Sequence, residues 1–352
     1  MVRNLGLVSI AATLAAILIP GESLALQQSS TAVNGQPRWG HAPAAPAVRT
    51  PATLAQSPAR AFAQAQVQAP AVMPPAVAPS VAPAPSAPGP SASAPSASAP
   101  SEEEVTFQSN GYTLAGCIVR PAGAGPFPAV IYNHGSEKDP RRCGPPELAR
   151  AYVEHGYAFF AFQRHGHGQS PGDYIVDLEK RAGGGNPAAR GQRSVALHEA
   201  YNRDVVGAVA WLMQRPEIDR RRVAMTGVSY GGIQTLLTAE KGLGIRAFIP
   251  FAPGAMSWAN QALDQRLAQA VRNAKAPLFL AQAQNDFSLG PSQVLGPIIR
   301  AKGAPNDAKI YPPNGTTHEQ GHGGFAVRGG IPAWGPDVFG FLDRVMGGKV
   351  AR

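Results

Sequence analysis

The chain has 352 residues, a formal net charge of +9, 35 prolines, 39 glycines and two cysteines. The arginines are scattered and no dense Lys/Arg block with interleaved aromatics appears, which disfavours a nucleic-acid partner and leaves at most a weak preference for anionic surfaces or substrates. Once the N-terminal segments are set aside, the remaining length suits a single domain.

Residues 1–25 read as a secretory signal. Arg3 supplies the positive start, Leu5–Pro20 is an apolar run a little short for a spanning helix, and Ser23-Leu24-Ala25 is a small-x-small cleavage site. The expectation is an exported chain, periplasmic or secreted, with no stable membrane insertion after cleavage; the alternative is an uncleaved anchor. No cysteine near the cleavage site offers a lipid attachment point. Residues 26–101 are dominated by Ala, Pro, Ser and Gln with almost no charge, and include PSASAPSASAPS. Such a stretch buries too little apolar surface to offset chain entropy, so a disordered linker is expected. Residues 102–352 are left for the folded domain.

In chain order, Val105–Gln108 and Tyr112–Arg120 are predicted to pair antiparallel around an Asn110-Gly111 turn. Phe127–Asn133 is a near-continuous apolar run, as in a strand buried on both faces. A helix over Pro146–His155 stops at Gly156. Tyr157–Phe162 is the next buried strand, and a polar, Gly-rich loop is expected from there to about Gln192. A long helix over Ser194–Arg215 is followed by a turn at Pro216–Asp219 and a short strand, Val223–Thr226. The turn Gly227-Val228-Ser229-Tyr230-Gly231 then opens an amphipathic helix. Strands are predicted at Ile245–Phe251, Pro277–Ala283 and Ala308–Tyr311, and helices at Ser292–Ala301 and Trp334–Met346. Ala252–Ala276 is a mostly helical excursion. Strands alternate with helices from residue 127 onward, which calls for an α/β fold: a mostly parallel, doubly wound sheet with helices on both faces.

The turn at Ser229 carries chemistry. G-x-S-x-G between a strand and a helix is the pattern of a nucleophile elbow. Glycines on either side permit a turn tight enough to lift the hydroxyl above the sheet edge, at a helix N-terminus where negative charge is favoured. The competing reading is a chance pattern in a glycine-rich chain.

Together with AVIYNHGS, FFAFQRHGHGQSPG, ALHEAYNRDVVGAVAWLMQRPEIDRRRVAMTGVSYGG, PLFLAQAQND and GHGGF, this stretch resembles the α/β-hydrolase superfamily over residues 105–348. Within it the chain looks most like the dienelactone hydrolase and prolyl-oligopeptidase-like branches. Dienelactone hydrolases proper carry cysteine at the elbow, whereas this chain has Ser229, so the resemblance points to a serine esterase or peptidase relative. It implies the order nucleophile, acid, base along the chain. Asp286 follows directly on a buried strand at the edge where sites in such sheets collect, and is the expected acid. Asp264 reads as a solvated helix residue, and Asp307 precedes its strand at the opposite edge. Both His318 and His322 follow the last strand. Gly321-His322-Gly323-Gly324-Phe325 is similar to the superfamily's small-His-small-aromatic pattern, so His322 is the expected base and His318 the runner-up.

For the oxyanion hole the resemblance implies the N–H of Tyr230, after the nucleophile, and that of Ser136, after the His134-Gly135 turn. His165 and His167 fall in a turn similar to R-G-H-G-x-S and are expected to stabilise loops. His165, His167, His318 and His322 could together supply imidazoles to a metal, but no Asp-His continuation follows His167 and the last two stand in a Gly-rich loop, so no metal or other cofactor is expected. Met256 and Trp258, in the excursion, are candidate walls of a substrate pocket, the alternative being plain surface packing. In an exported chain Cys117 and Cys143 form an even pair that reads as a disulfide; two free, buried thiols are the alternative.

The function expected is an exported serine hydrolase acting on a small-molecule carboxylic ester through an acyl-enzyme. A peptidase of the oligopeptidase-like branch is the alternative, disfavoured because no propeller precedes the domain. A non-catalytic binding protein on a hydrolase fold is the other.

Overall fold

The computed structural model describes residues 99–181 and 185–347. The expected signal segment and residues 26–98 of the expected linker lie outside the described residues. Contacts divide the chain into Met1–Pro85 and Ser86–Arg352, and every described residue belongs to the second unit.

Eight strands form one sheet: β1 (Ser101–Ser109), β2 (Tyr112–Arg120), β3 (Phe127–Asn133), β4 (Ala158–Phe162), β5 (Ile218–Val228), β6 (Ala247–Phe251), β7 (Phe279–Ala283) and β8 (Asp307–Tyr311). Their spatial order is β1-β2-β4-β3-β5-β6-β7-β8. The β1–β2 and β2–β4 pairs are antiparallel, and every pair from β4 to β8 is parallel. Both faces of the parallel part are apolar because successive side chains alternate across the pleat. Ala129, Ile131, Val223 and Met225 point into one core. Val130, Tyr132, Ala224 and Val228 point into the other.

The first core is covered by α3 (Pro187–Leu212), α4 (Tyr230–Ala239), α5 (Gln261–Asn273) and α6 (Gly290–Arg300). The second is covered by α1 (Pro146–Glu154), the short α7 (Phe325–Val327) and α8 (Ile331–Met346). The doubly wound α/β architecture expected from the strand–helix alternation is the one observed. Cys117 and Cys143 form a disulfide, which ties β2 to the segment before α1. Among the described residues, no helix is long and apolar enough to cross a membrane.

Three expectations about elements need correction. The predicted loop up to Gln192 contains α2 (Ile175–Arg181) and the first turn and a half of α3. Asn186 caps α3, its side chain accepting the Ala189 N–H at 2.8 Å, and Pro187 follows where a missing N–H costs nothing. Gly191, within that predicted loop, is a close-packing glycine: a methyl group there would stand 2.5 Å from Oδ1 of Asn260, the residue before α5. The predicted turn at Pro216–Asp219 is shorter, because Ile218 already pairs with Phe127 as β5 begins. Finally, β1 starts at Ser101, so the last residue assigned to the linker is part of the sheet.

Candidate active site

The carboxyl ends of the parallel strands carry the site. At the end of β5, Ser229 adopts φ 56°, ψ −117°, a conformation L-residues rarely occupy. Ser229 sits where a serine ordinarily caps the following helix with its hydroxyl, but its side chain makes no cap bond. The hydroxyl is therefore not consumed by α4. The strained turn is held from both sides: the Ser229 N–H donates to Phe251 O at 3.0 Å, and its carbonyl accepts the Gly254 N–H.

The glycines around it follow from close backbone approach. A methyl at Gly231 would collide with the Asn133 carbonyl oxygen and stand 2.6 Å from that of His134. One at Gly227 would collide with the Gly231 carbonyl oxygen, and one at Gly232 would lie 2.9 Å from that of Phe251. Thus the elbow is wedged between the ends of β3 and β6.

Beyond β7, Asp286 is buried and accepts three hydrogen bonds. Oδ1 takes the Phe287 N–H at 2.6 Å and His322 Nδ1–H at 2.8 Å; Oδ2 takes Gln282 Nε2–H at 3.0 Å. The bond to Asp286 places the imidazole proton on Nδ1 and leaves Nε2 as the free lone pair. That Nε2 is buried and has no partner. His322 is presented by a π-helical turn, Gln320–Gly324. Gly321 lets this turn approach the Asn285 backbone, since a methyl there would stand 2.6 Å from the Asn285 carbonyl oxygen. The Phe287 ring meets His322 edge-on at 5.4 Å.

His318 is exposed, and its Nδ1 bonds Asn285 O at 3.0 Å. Of the two histidines after the last strand, the fold brings His322 to Asp286 and leaves His318 outside. Asp264 lies on α5, and Asp307 opens β8 at the opposite edge of the sheet.

Behind Ser229, Tyr230 is the first residue of α4, so its N–H has no helical carbonyl to serve. Ser136 follows the buried His134-Gly135 turn, and its carbonyl accepts the Tyr174 hydroxyl proton. His134 Nε2 accepts the Arg164 backbone N–H at 3.3 Å, and its Nδ1 lies 2.9 Å from Gly135 O and 3.0 Å from Arg164 Nη2. Burial first, and then the Arg164 charge, hold His134 well below the ordinary histidine pKa, so it is neutral. His165 is clamped by Asp204, which accepts its backbone N–H at 2.8 Å and its Nδ1–H at 2.5 Å. His167 Nδ1–H donates to Glu137 O at 2.9 Å.

The two residues expected to wall a substrate pocket part company. Met256 is 64% exposed, whereas Trp258 packs against the core and crowds Gly290 at the start of α6. Sequence reading missed Gln282, Arg164 and Tyr174. Gln282 had a signal, a polar residue in the otherwise apolar strand FLAQA; it is fully buried, and its Oε1 accepts Ser292 Oγ–H at 2.7 Å. Arg164 and Tyr174 stood in Gly-rich sequence with no periodicity to betray their direction.

Sheet order, elbow and Asp–His pair define an α/β hydrolase. Residues 110–288 match the family described as X-Pro dipeptidyl-peptidase (S15 family), and the chain belongs to that family. The match includes Ser229 and Asp286 and ends before His322. The chain is also similar to the polyketide transferase GrgF of Penicillium, at 25% identity over 187 residues, 51% of this chain and 56% of that protein. Among solved structures it is similar to the acylaminoacyl peptidase of Pyrococcus horikoshii, at 16% identity and TM-score 0.54, over 72% of this chain and 43% of that one. It is similar as well to an esterase of Pyrococcus furiosus, at 17% identity and TM-score 0.51, over 70% of this chain and 92% of that one. At these identities the structural likeness speaks to fold. The chain spans just over half of the curated relative and less than half of the acylaminoacyl peptidase.

Proposed function

We propose that the protein is an exported serine hydrolase of carboxylic esters. The observation that carries this reading is the 2.8 Å bond between Asp286 and His322, with a buried, unpartnered Nε2, on the same sheet edge as a serine in a strained elbow. In the proposed mechanism His322 Nε2 takes the Ser229 proton as the oxygen attacks the ester carbonyl. Asp286 keeps the imidazole in the required tautomer and stabilises its charged form. The N–H groups of Tyr230 and Ser136 receive the negative charge that develops on the carbonyl oxygen. The alcohol leaves with the proton from His322, and water, activated in turn by His322, hydrolyses the acyl-enzyme.

Export rests on the N-terminal segment, and the Cys117–Cys143 disulfide supports an oxidising compartment. Met256, exposed beside the turn that follows β6, is proposed to contact substrate, and Trp258 to support that turn from beneath. A peptide bond is the second reading, favoured by the family match.

A fluorophosphonate probe tests the nucleophile: wild type is expected to label and Ser229→Ala not to. Failure of the wild type to label, or equal labelling of the variant, removes the serine-hydrolase reading. A graded panel of p-nitrophenyl esters and of p-nitroanilides, including X-Pro dipeptidyl anilides, separates the two substrate classes. Turnover of the anilides above that of every ester would reverse the preference for esters.

A further inference from the structure

The Arg164 side chain is fully buried, yet among the described residues no carboxylate lies within ion-pair distance of it. Its Nε and Nη1 have no hydrogen-bond partner. Nη2 donates to Gly135 O at 2.6 Å and also lies 3.0 Å from His134 Nδ1, and the guanidinium carbon lies 4.3 Å from the centre of the Tyr230 ring. Glu137 and Asp204 act on the charge only from beyond ion-pair distance. A buried charge without a direct partner is expensive, and a methionine of similar length would fill the space without that cost. The charge therefore needs a reason other than packing.

The position of its shortest bond supplies that reason. Gly135 C=O and Ser136 N–H belong to the same planar peptide unit. A charge-assisted hydrogen bond to the carbonyl oxygen draws electron density through that unit and makes its N–H a stronger donor. It also fixes the plane in which the N–H points. The far side of Ser136 is held as well, by Tyr174 on its carbonyl. Tyr230, over whose ring the guanidinium lies, contributes the other proposed donor.

We infer that Arg164 is a positioning residue for the oxyanion hole: it aligns and polarises the Ser136 N–H and places a fixed positive charge behind both donors. This rests on the serine-hydrolase reading above. Arg164 touches no reacting atom in this scheme. Its effect appears as negative charge develops on the substrate oxygen, so it belongs to the transition state and not to substrate binding.

The test compares wild type, Arg164→Met and Arg164→Lys on a p-nitrophenyl ester and with an alkylboronic acid, whose adduct with serine carries a tetrahedral, anionic centre. In Arg164→Met, kcat is expected to fall by about 10–100-fold with KM nearly unchanged, and boronate affinity to fall in parallel. Lysine, a point charge without the planar fork, is expected to recover part of both. Near-normal kcat and boronate affinity in a folded Arg164→Met protein would overturn the inference. So would a loss confined to KM.

Should that variant not fold, wild type labelled with 15N-arginine provides the measurement: the Arg164 guanidinium resonances are expected to shift when the boronate adduct forms. Unmoved resonances would overturn the inference. Absence of ester turnover and probe labelling in wild type would instead remove the underlying hydrolase reading, so the two failures are distinguishable.

Discussion

Asp286 Oδ1 and His322 Nδ1 stand 2.8 Å apart although 36 positions separate them in the chain. The contact joins the loop after β7 to the π-helical turn that precedes α8, two segments with no local reason to meet. Its chemical consequence is directional: with Nδ1–H committed to the carboxylate, Nε2 is the lone pair left to take a proton.

That direction makes the acid testable. Asp286→Asn preserves shape but offers no full negative charge and permits the wrong tautomer, so kcat on an ester is expected to fall by about 10⁴-fold with KM little changed. His322→Ala is expected to lose at least as much. His318→Ala, which removes an exposed ring, is expected to stay within about twofold. Steady-state kinetics on the three variants check this, and collapse in His318→Ala with near-normal His322→Ala would reverse the base assignment.

Gln282 is expected to matter through Asp286. Its Nε2 bonds Asp286 Oδ2 at 3.0 Å and Ser288 O at 2.6 Å, which fixes both the carboxylate and the loop carrying it. Gln282→Leu leaves one carboxylate oxygen unsatisfied, at a cost of about 1.5–3 kcal/mol for a hydrogen bond to a charged group. Of that, about tenfold is expected to appear in kcat. Equal kcat in a folded Gln282→Leu protein would show that the Phe287 and His322 bonds suffice.

The glycines of the two key turns are expected to behave unequally. Gly231→Ala forces a methyl into the Asn133 and His134 carbonyls, both backbone, so loss of folding or at least about 3 kcal/mol is expected. Gly321→Ala pushes against Asn285 and is expected to displace His322, lowering activity more than stability. Gly323 has nothing within 4 Å of an added methyl, and Gly323→Ala is expected to leave stability within about 0.5 kcal/mol of wild type. Urea unfolding and ester turnover on the three proteins separate these outcomes.

Acid should destabilise the fold through buried neutral histidines. Burial and then the Arg164 charge push both His167 and His198 down to about 3. Their pKa values in the unfolded chain are near 6.5, so between pH 6.5 and 3 the unfolded state binds more protons than the folded one. Their stabilising contribution is complete above about pH 6.5 and is lost as pH falls toward 3, at up to about 1.4 kcal/mol per pH unit for each histidine. Urea unfolding between pH 7.5 and 4.5 is expected to show this decline, and His198→Gln to reduce its slope. A flat profile over that range would remove the assignment.

The alternation of apolar runs and helical segments was enough to specify the sheet class, because a strand buried on both faces is apolar at nearly every position. Ser229 was legible for a related reason: only glycine tolerates the backbone approach that its neighbours require, so the turn leaves a composition mark. Asp286 was legible by its place immediately after a buried strand.

Other features left no comparable mark. The start of α3 was hidden because Gly191 looks the same whether it breaks a helix or admits a neighbour. Trp258 reads equally as pocket wall or packing, and its contact with Gly290 depends on where α6 begins.

By itself, then, the sequence determined what is local and periodic: which segments are strands, where the tight turn falls, and which residue types stand at strand ends. Only the tertiary structure brought His322 and not His318 to Asp286, brought Cys117 to Cys143, and revealed Gln282 beneath Asp286 and Arg164 behind Gly135. The reason is physical. Burial and turn geometry constrain residues near one another in the chain, whereas a hydrogen bond between distant loops depends on strand order, register and loop path, which no single stretch encodes.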